Sequence, residues 1–364
     1  MKVKEIISAL EEFAPPQLQE DYDNTGLNLG NPNTEITGVL LCIDITEEII
    51  DEAIENNCNM IVSHHPLIFG KLKNIIGSNY IERCVIKAIK NDISIYCGHT
   101  SFDSVDKGVS YKICEKLGLQ NLKILAPKNN FLKKISVFIP EEHVEKVRLA
   151  IFAAGAGAIG NYNNCSFNVS GTGSFKAGEN TNPYIGKKGE IHYEPEIKTE
   201  IVFPAHLETK IINAMLSTHP YEEVAYDIFS LDNSWKKAGL GMTGETIKPF
   251  GEKELLRILK EKFTVESIKH SRLLNKEINK IAVCGGSGAS LINTAIKSGA
   301  QVYISGDIKY HDYFLAENKI IIIDIGHFES EQFTKEIFYD IIMKKKPTFA
   351  VRFSKINTNP IKNY

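Results

Sequence analysis

Short runs of apolar residues alternate with longer stretches of mixed polarity along the first third of the chain. The runs at 38–44, 60–63 and 93–97 are almost continuously apolar, and helical spacing of apolar residues lies between them. Strands that are apolar on both faces are typical of a parallel sheet covered by helices on both sides. The pattern therefore predicts an α/β arrangement in which polar residues follow each strand.

The last third of the chain repeats this plan. Apolar runs at 280–284, 301–305 and 320–325 are each followed by a glycine and then by a stretch with helical spacing. The polar segments after the second and third runs correspond in position to those of the first third. We therefore expect two pseudo-repeated β-α-β-α-β-α halves that form one α/β core domain.

The middle of the chain has a different pattern. Strands are predicted at 134–139, 165–172, 199–203 and 224–231, and helices at 141–154 and 206–217. This order, β-α-β-β-α-β, is that of a ferredoxin-like module. Pro127 and a glycine-rich stretch at 239–244 flank the module. We expect a core domain of residues 1–125 and 246–364, with an inserted α+β ferredoxin-like domain at 126–245.

The composition excludes several classes of protein. The 364 residues carry 42 Lys and Arg against 45 Asp and Glu, a net charge of −3 that argues against a nucleic-acid partner. No apolar run reaches the roughly 18 residues of a membrane helix, and the first residues have an amphipathic pattern unlike a signal peptide. The seven cysteines contain no C-x-x-C pair, so we expect a cytoplasmic protein without disulfides or membrane contact.

Two adjacent histidines, His64 and His65, follow the second predicted strand and precede Pro66. Neighbouring side chains at a strand end normally point to opposite sides, but a turn before the proline can direct both imidazoles into one crevice. Open α/β sheets build their ligand crevices at the carboxyl ends of strands. Two neutral imidazoles there suit Zn, Fe, Co or Ni. The alternative is a pair of loop histidines that bond to the backbone.

Carboxylates follow two further predicted strand ends. His327 and Glu331 are four residues apart at the start of the last predicted helix, so both lie on one helical face and can ligate metal. The alternative for Glu331 is a carboxylate in the first helical turn, where the helix dipole stabilises it. Asp103 is either a metal ligand or the N-cap of a helix at 108–117.

Three strand ends of the predicted sheet together supply three histidines and two carboxylates: His64, His65, Asp103, His327 and Glu331. This set suits a site for two metal ions in which Glu331 bridges. Two ions about 3.5–4 Å apart generate a hydroxide and polarise a substrate atom. Four nearby polar residues are candidates to orient these ligands or to act as acid or base: His99, Asp44, Asp307 and His311. None of them is assigned as the catalytic residue.

Two other segments carry a candidate binding role. Gly285-Gly286-Ser287-Gly288 follows a strand, and such a turn can hold a phosphate on its backbone N–H groups; the alternative is a tight connection from strand to helix. His219-Pro220-Tyr221-Glu222-Glu223 lies in the middle module. It is interpreted as the end of a helix that leads into a strand, with ligand binding as the alternative.

The polar segments together resemble the GTP cyclohydrolase I type 2 homologue (NIF-three-like) family, and the central insertion resembles that of its longer bacterial subtype. The resemblance covers the whole chain, in the family's order: Tyr22-Asp23-Asn24-Thr25-Gly26-Leu27, Ser63-His64-His65-Pro66, Gly98-His99-Thr100-x-x-Asp103, Cys284-Gly285-Gly286-Ser287-Gly288, Ser305-Gly306-Asp307-x-Lys309-Tyr310-His311 and Gly326-His327-x-x-x-Glu331.

The resemblance implies two divalent metal ions per subunit, which the sequence leaves as Zn, Fe, Mn or Ni. It implies His65 and Asp103 on one ion, His64 and His327 on the other, and Glu331 as the bridge. It also implies a toroidal homohexamer, with inserts similar to signalling-protein and copper-tolerance folds at the ends of the ring.

The resemblance further implies a metal-dependent hydrolase, in which metal-activated water attacks a nucleotide or a related small molecule, GTP being the named substrate. The alternative function is a metal-responsive hexameric scaffold, or a metal-handling protein, without turnover.

Overall fold

The computed structural model describes residues 1–363. In chain order the strands are β1 Gly26–Leu29, β2 Val39–Cys42, β3 Met60–Ser63, β4 Ser94–Cys97, β5 Gln120–Lys128, β6 Leu132–Pro140, β7 Phe167–Lys176, β8 Ile191–Pro204, β9 Tyr226–Leu231, β10 Trp235–Gly251, β11 Lys269–His270, β12 Glu277–Ser287, β13 Val302–Gly306, β14 Ile321–Asp324 and β15 Val351–Phe353. The α-helices are α1 Val3–Phe13, α2 Glu47–Glu55, α3 Tyr80–Lys90, α4 Thr100–Ser104, α5 Val109–Leu117, α6 Val144–Ala153, α7 Glu208–Thr218, α8 Glu252–Phe263, α9 Ile292–Lys297, α10 His327–Glu331 and α11 Thr334–Lys345. The expected α/β class is confirmed.

The chain forms two compact units. The first contains Met1–Pro127 and the chain from Lys236 onward, and the second is Lys128–Trp235. Within residues 1–363, no helix is both long enough and apolar enough to span a bilayer.

The first unit contains a five-stranded sheet in the order β1-β4-β3-β2-β15. Strands β4, β3, β2 and β15 run parallel, and β1 is antiparallel at the edge. Every residue of β2, β3 and β4 is buried, as continuously apolar strands covered on both faces should be. Cys42, Ser63 and Cys97 are level in register, so these three strands end at one edge of the sheet.

A six-stranded sheet in the same unit has the order β11-β14-β13-β12-β10-β5. Strands β12, β13 and β14 are parallel, and Ser305 of β13 is level with Asp324 of β14. Helices α1 and α11 cover one face of the five-stranded sheet, where Ile6, Leu10 and Phe338 are fully buried. These rigid, buried strands fix the positions of the segments that follow them.

The second unit contains an antiparallel sheet in the order β7-β8-β6-β9. Its elements follow one another as β6-α6-β7-β8-α7-β9. One side of the sheet packs on the two helices through a core that includes Ile135, Val137, Ile151, Phe203 and Met215.

Two local features of the core depend on left-handed backbone positions. The glycine-rich stretch 239–244 is part of the long strand β10, because its residues from Met242 pair with β12 and positive φ at Gly239 and Gly241 lets the backbone bend within the strand. The stretch of helical spacing that follows the apolar run at 301–305 forms a 3-10 helix, Tyr310–Ala316, which ends where Glu317 adopts a left-handed conformation. The 3-10 form is common in such short pieces.

Candidate metal centre

Polar side chains meet where the strands of the first unit end. His64 and His65 follow β3 directly, and His99 precedes the short helix α4, which carries Asp103. On the other sheet, His327 begins α10 after β14, and Glu331 is the last residue of α10. The level strand ends therefore place residues that are far apart in the chain in one cluster.

The Glu331 carboxylate lies at the middle of this cluster and is only 3% exposed. Its Oε2 atom is 2.9 Å from His65 Nε2 and 3.1 Å from His327 Nε2, and the two imidazole nitrogens are 3.2 Å apart. Its Oε1 atom is 3.5 Å from His64 Nε2. The two oxygens of one carboxylate thus serve different histidines.

Several polar atoms in the cluster are buried without a hydrogen bond. His64 Nε2 lies 3.6 Å from Asp103 Oδ1, and neither atom has a hydrogen-bond partner in the described chain. Glu331 Oε2 is also without one, since its two short approaches to imidazoles lack hydrogen-bond geometry. Orphaned buried donors and acceptors are costly and need an explanation. Imidazole nitrogens and carboxylate oxygens that converge on one another fit a metal ion.

The other ring nitrogen of each histidine has an acceptor. Asp44 Oδ1 is 2.7 Å from His65 Nδ1, and Asp307 Oδ2 is 2.7 Å from His327 Nδ1. His64 Nδ1 lies 3.1 Å from the Gly98 carbonyl oxygen. These acceptors favour a proton on Nδ1 and leave Nε2 free to ligate, an arrangement found around metal-bound histidines.

A fourth imidazole, His99, borders the cluster. Its ring centroid is 5.5 Å from that of His64 and 5.4 Å from that of His65. Asp23 Oδ1 is 2.7 Å from its Nδ1 atom, and the backbone N–H of Thr100 donates to the same carboxylate. Against the effect of burial, His99 and Thr100 hold the pKa of Asp23 well below its usual value. Asp23 therefore orients His99 as a carboxylate.

The Glu331 carboxylate can lie at the middle of the cluster because the adjacent residue on β12 is a glycine, Gly286. Gly286 has φ of +60°, and a Cβ atom there would fall 2.2 Å from Glu331 Oε1. The Gly286 N–H donates to Ser330 Oγ, so it is not available to a phosphate. In the structure Gly285, Gly286 and Ser287 belong to strand β12. The segment thus makes room for the Glu331 carboxylate.

Without a bound ion, the ionisable groups of this cluster would have strongly shifted pKa values. Burial lowers the pKa of His65, but Asp44 and Glu331 outweigh this effect and raise it to about 10. Likewise against burial, Glu331 and Asp307 raise the pKa of His327 to about 9. Burial and the nearby Glu331 charge raise the pKa of Asp103 to about 8. Burial would raise the pKa of Glu331, but His64, His327 and His65 hold it well below its usual range.

The structure brings most of the residues singled out in the sequence to this cluster: Asp44 and Asp307 accept from imidazoles, and His99 is a further imidazole at the border. His311 is different, because its described ring contacts are with Tyr310 and Phe314. Asp103 lies inside α4 and does not cap α5, whose N-cap is Gly108.

Sequence reasoning assigned no role to two further residues near the cluster. Asp23 belongs to the Tyr22–Leu27 motif, so that motif could have indicated a role for it. Thr358 donates its hydroxyl to Asp44 Oδ2 over 2.7 Å, and no local pattern marks it.

The α/β fold and this cluster define a candidate metal-binding protein. The profile of the family described as Duf34/NIF3 (NGG1p interacting factor 3) matches residues 1–360. The chain belongs to this family, which confirms the resemblance seen in its motifs.

Relatives and solved structures cover nearly the whole chain. A Bacillus subtilis protein called "GTP cyclohydrolase 1 type 2 homolog" is 38% identical over 366 residues, covering 98% of this chain and 97% of its own. A Halalkalibacterium halodurans protein of the same name is 37% identical over 360 residues, with 98% and 97% covered. The crystal structure of a Bacillus cereus protein related to NIF3 superposes with a TM-score of 0.85 at 37% identity, covering 100% of this chain and 99% of that one.

Proposed function

We propose that the first unit binds two divalent ions through His64, His65, Asp103, His327 and Glu331, and that Glu331 bridges them. The observation that carries this proposal is the buried Glu331 carboxylate, whose Oε1 faces His64 while Oε2 faces His65 and His327. A single carboxylate between two sets of imidazoles suits a bridge, because its charge also reduces the repulsion between two cations. The donor set accepts Zn, Fe, Mn or Ni.

The proposed pairing of ligands follows the resemblance: His65 with Asp103 and His64 with His327. Two contacts cross this pairing, since His65 Nε2 is 3.2 Å from His327 Nε2 and His64 Nε2 is 3.6 Å from Asp103 Oδ1. Metal counts on single alanine variants decide between them. If His65→Ala and His327→Ala empty the same position, the pairing follows the contacts and not the resemblance.

We propose that the centre is hydrolytic. When bound, a pair of metal ions supplies a hydroxide nucleophile and polarises the bond to be cleaved. The chain's own contribution is orientation: Asp44 holds His65, Asp307 holds His327, and Asp23 holds His99 near the same place. His65 and His327 keep 22% and 32% of their side chains exposed, so a small molecule can reach the cluster from solvent.

Two exposed aromatic rings favour a substrate with a flat ring system, such as a nucleotide. Tyr22 and Phe69 are 64% and 51% exposed, and their ring centroids are 6.2 Å apart. Phe69 also lies 6.2 Å from His99, which borders the cluster. Exposed aromatic rings provide stacking surfaces for bases. The name carried by the relatives points to GTP within this class.

Turnover assays on metal-loaded protein test the hydrolase. GTP, simple phosphoesters and an oligonucleotide are offered, with product and formate release measured for the wild type and for Glu331→Gln. Hydrolysis that Glu331→Gln abolishes supports an enzyme. Metal-dependent partner binding with no turnover of any of these compounds supports the alternative function, a metal-responsive scaffold or metal-handling protein.

We propose a toroidal homohexamer, on the strength of the family resemblance. Large apolar side chains exposed on the first unit, such as Ile76, Tyr310 and Phe314, provide surface that such an assembly can cover. Light scattering across the micromolar range tests this, and a monomer mass throughout that range contradicts it.

We also propose that the core arose from two β-α-β-α-β-α halves and that the second unit is a ferredoxin-like insert. Each sheet of the core contains three parallel strands that follow one another along the chain, β2, β3 and β4 in one and β12, β13 and β14 in the other, which supports the first idea. The order β7-β8-β6-β9, with helices between β6 and β7 and between β8 and β9, supports the second. The proposed domains are 1–125 with 246–364, and 126–245. Deletion of about 128–238 with a short linker should leave metal binding intact.

A further inference from the structure

The second unit contains a cavity of about 400 Å³, a volume in the range of small-molecule sites. Strand β7 and the following loop form one side, from Gly173 to Tyr184, and the segment from Tyr221 to Ala225 forms another. Phe138 and Glu196 complete the lining. None of these residues has a role in the metal centre.

A buried carboxylate lies in the wall of this cavity. Glu196 is 9% exposed, and its Oε1 accepts a hydrogen bond of 3.0 Å from the Tyr221 hydroxyl. Among the described residues, no hydrogen bond or ion pair reaches Oε2. Oε2 is not one of the enclosed polar atoms of the chain, so it keeps contact with the open space of the cavity and can accept a hydrogen bond from a ligand there.

The chain makes specific room for this carboxylate. A Cβ atom at Gly173 would fall 2.1 Å from Glu196 Oε2, so a larger residue there would require the carboxylate to move from its present position. The neighbouring Gly171 is level with Glu196 in the pairing of β7 with β8. The glycines of β7 thus permit the carboxylate to lie against the strand.

The segment His219–Glu223 builds the opposite wall. His219 follows α7, its Nε2 lies 3.0 Å from the Phe138 carbonyl oxygen, and its Nδ1 accepts the Tyr221 N–H over 3.1 Å. These contacts define a neutral imidazole with its proton on Nε2, and burial lowers the pKa of His219 accordingly. The histidine therefore holds Tyr221 in place without adding positive charge.

Aromatic rings surround the rest of the space. The Tyr221 ring centroid is 6.0 Å from that of Phe175 and 6.2 Å from that of Tyr184. The Tyr184 hydroxyl is 3.0 Å from His143 Nε2, which orients its ring. Burial and the bond to Glu196 raise the pKa of Tyr221, so its hydroxyl stays protonated and donates.

The charge of the lining is predominantly negative. Glu196, Glu222 and Glu223 line the cavity, and Lys176 is the basic side chain among the lining residues. One Glu222 oxygen accepts the Asn182 N–H over 2.7 Å. Carboxylates combined with aromatic faces attract organic cations, through ion pairs at the charged head and cation–π contact along the rings.

We infer that this cavity binds a small organic cation bearing N–H groups, an amine or guanidinium compound, whose head pairs with Glu196 Oε2 and whose body packs on Phe175, Tyr184 and Tyr221. The site is a function of the second unit that is separate from the proposed hydrolase. Its ligand is defined by the unpaired carboxylate oxygen and the surrounding rings.

Calorimetric titration of the full-length protein with agmatine and with benzylammonium tests the inference, with benzyl alcohol as the neutral analogue. We expect both cations to bind and the alcohol not to bind. Glu196→Gln keeps an acceptor for Tyr221 but removes the charge, so it should weaken cation binding at least about tenfold. Glu142→Gln alters an exposed carboxylate of the same unit outside the lining and should leave binding unchanged.

Tyr184→Ala provides a second variant should Glu196→Gln fail to fold, because Tyr184 is half exposed and its truncation opens the aromatic wall. It should also weaken binding of both cations. Failure of either cation to bind at about 10 mM, equal binding of benzyl alcohol, or unchanged binding in both cavity variants would overturn the inference. Glu331→Gln should retain cation binding, which separates this result from the outcome for the metal centre.

Discussion

The metal centre and the cavity of the second unit each contain a buried glutamate whose carboxylate lies close to a glycine. A Cβ atom at either glycine would overlap the carboxylate. Gly286 lies against Glu331, and Gly173 lies against Glu196. Glu331 is surrounded by imidazole nitrogens, whereas Glu196 has a tyrosine hydroxyl and aromatic rings nearby. The comparison teaches that the neighbours of a buried carboxylate, more than the carboxylate itself, determine which cation it suits.

The largest effect should come from Glu331. Glu331→Ala removes the ligand shared by both ions, so both positions should lose their metal and hydrolysis should fall at least about 100-fold. Metal analysis and anomalous scattering on the purified variant measure this. Glu336 is a half-buried glutamate on α11 that pairs with Lys116, and Glu336→Gln is the matched control that should retain both ions. Two fully occupied ions in Glu331→Ala would contradict the bridge.

Acidification should weaken metal binding over a higher pH range than free imidazole would suggest. The pKa values of His65 and His327 are raised to about 10 and about 9, so both carry protons at neutral pH and must lose them to ligate. Each proton displaced lowers affinity by about tenfold per pH unit below its pKa, so affinity should still be rising between pH 7 and pH 9.

Competition titrations with a metal chelator across this range measure the slope, and calorimetry in buffers of different ionisation enthalpy counts the protons released. Affinity that stops rising above about pH 7 would show that these imidazoles are already deprotonated in the metal-free protein.

The carboxylates behind the histidines should have a smaller effect. Asp44→Asn and Asp307→Asn retain the shape of the side chain but weaken the acceptor for His65 and His327, so metal affinity should fall by about 10–100-fold. Asp51→Asn, on the exposed face of α2 where Asp51 pairs with Lys87, serves as the control. Affinities within about twofold of the wild type in both variants would show that orientation by these carboxylates is unimportant.

A still smaller effect is expected at the exposed rings. If the substrate stacks on Phe69, Phe69→Ala should raise KM by about 5–30-fold, corresponding to about 1–2 kcal/mol of stacking, with kcat nearly unchanged. Phe353→Ala removes a partly exposed ring of β15 that stacks on Tyr339 of α11, and it should leave KM unchanged. An equal rise in both variants would assign the effect to general destabilisation.

The smallest effect on metal content is expected at Glu196, the buried glutamate of the second unit. Glu196→Gln should not change the metal content, because Glu196 belongs to the second unit and all five proposed ligands belong to the first. Metal analysis of this variant beside Glu331→Ala checks the separation. A loss of metal in Glu196→Gln would show that the two buried glutamates are not independent.

The sequence by itself determined the strands and the residues that follow them. Nearly continuous apolar runs indicate β2, β3, β4 and β14, because burial on both faces favours apolar residues at almost every position of a strand. The residues after such runs had to lie at strand ends, which is why His64, His65, Asp103, His327 and Glu331 could be named as one cluster.

Only the tertiary structure decided which neighbours these residues have. It pairs Asp23 with His99, Thr358 with Asp44, and Gly286 with Glu331, all through contacts between segments far apart in the chain. It also places the glycine-rich stretch 239–244 in a strand, because pairing with β12 outweighs the local preference of glycine for turns. Periodicity reports local burial, whereas the pKa of His65 and the space beside Glu331 depend on groups that only folding brings together.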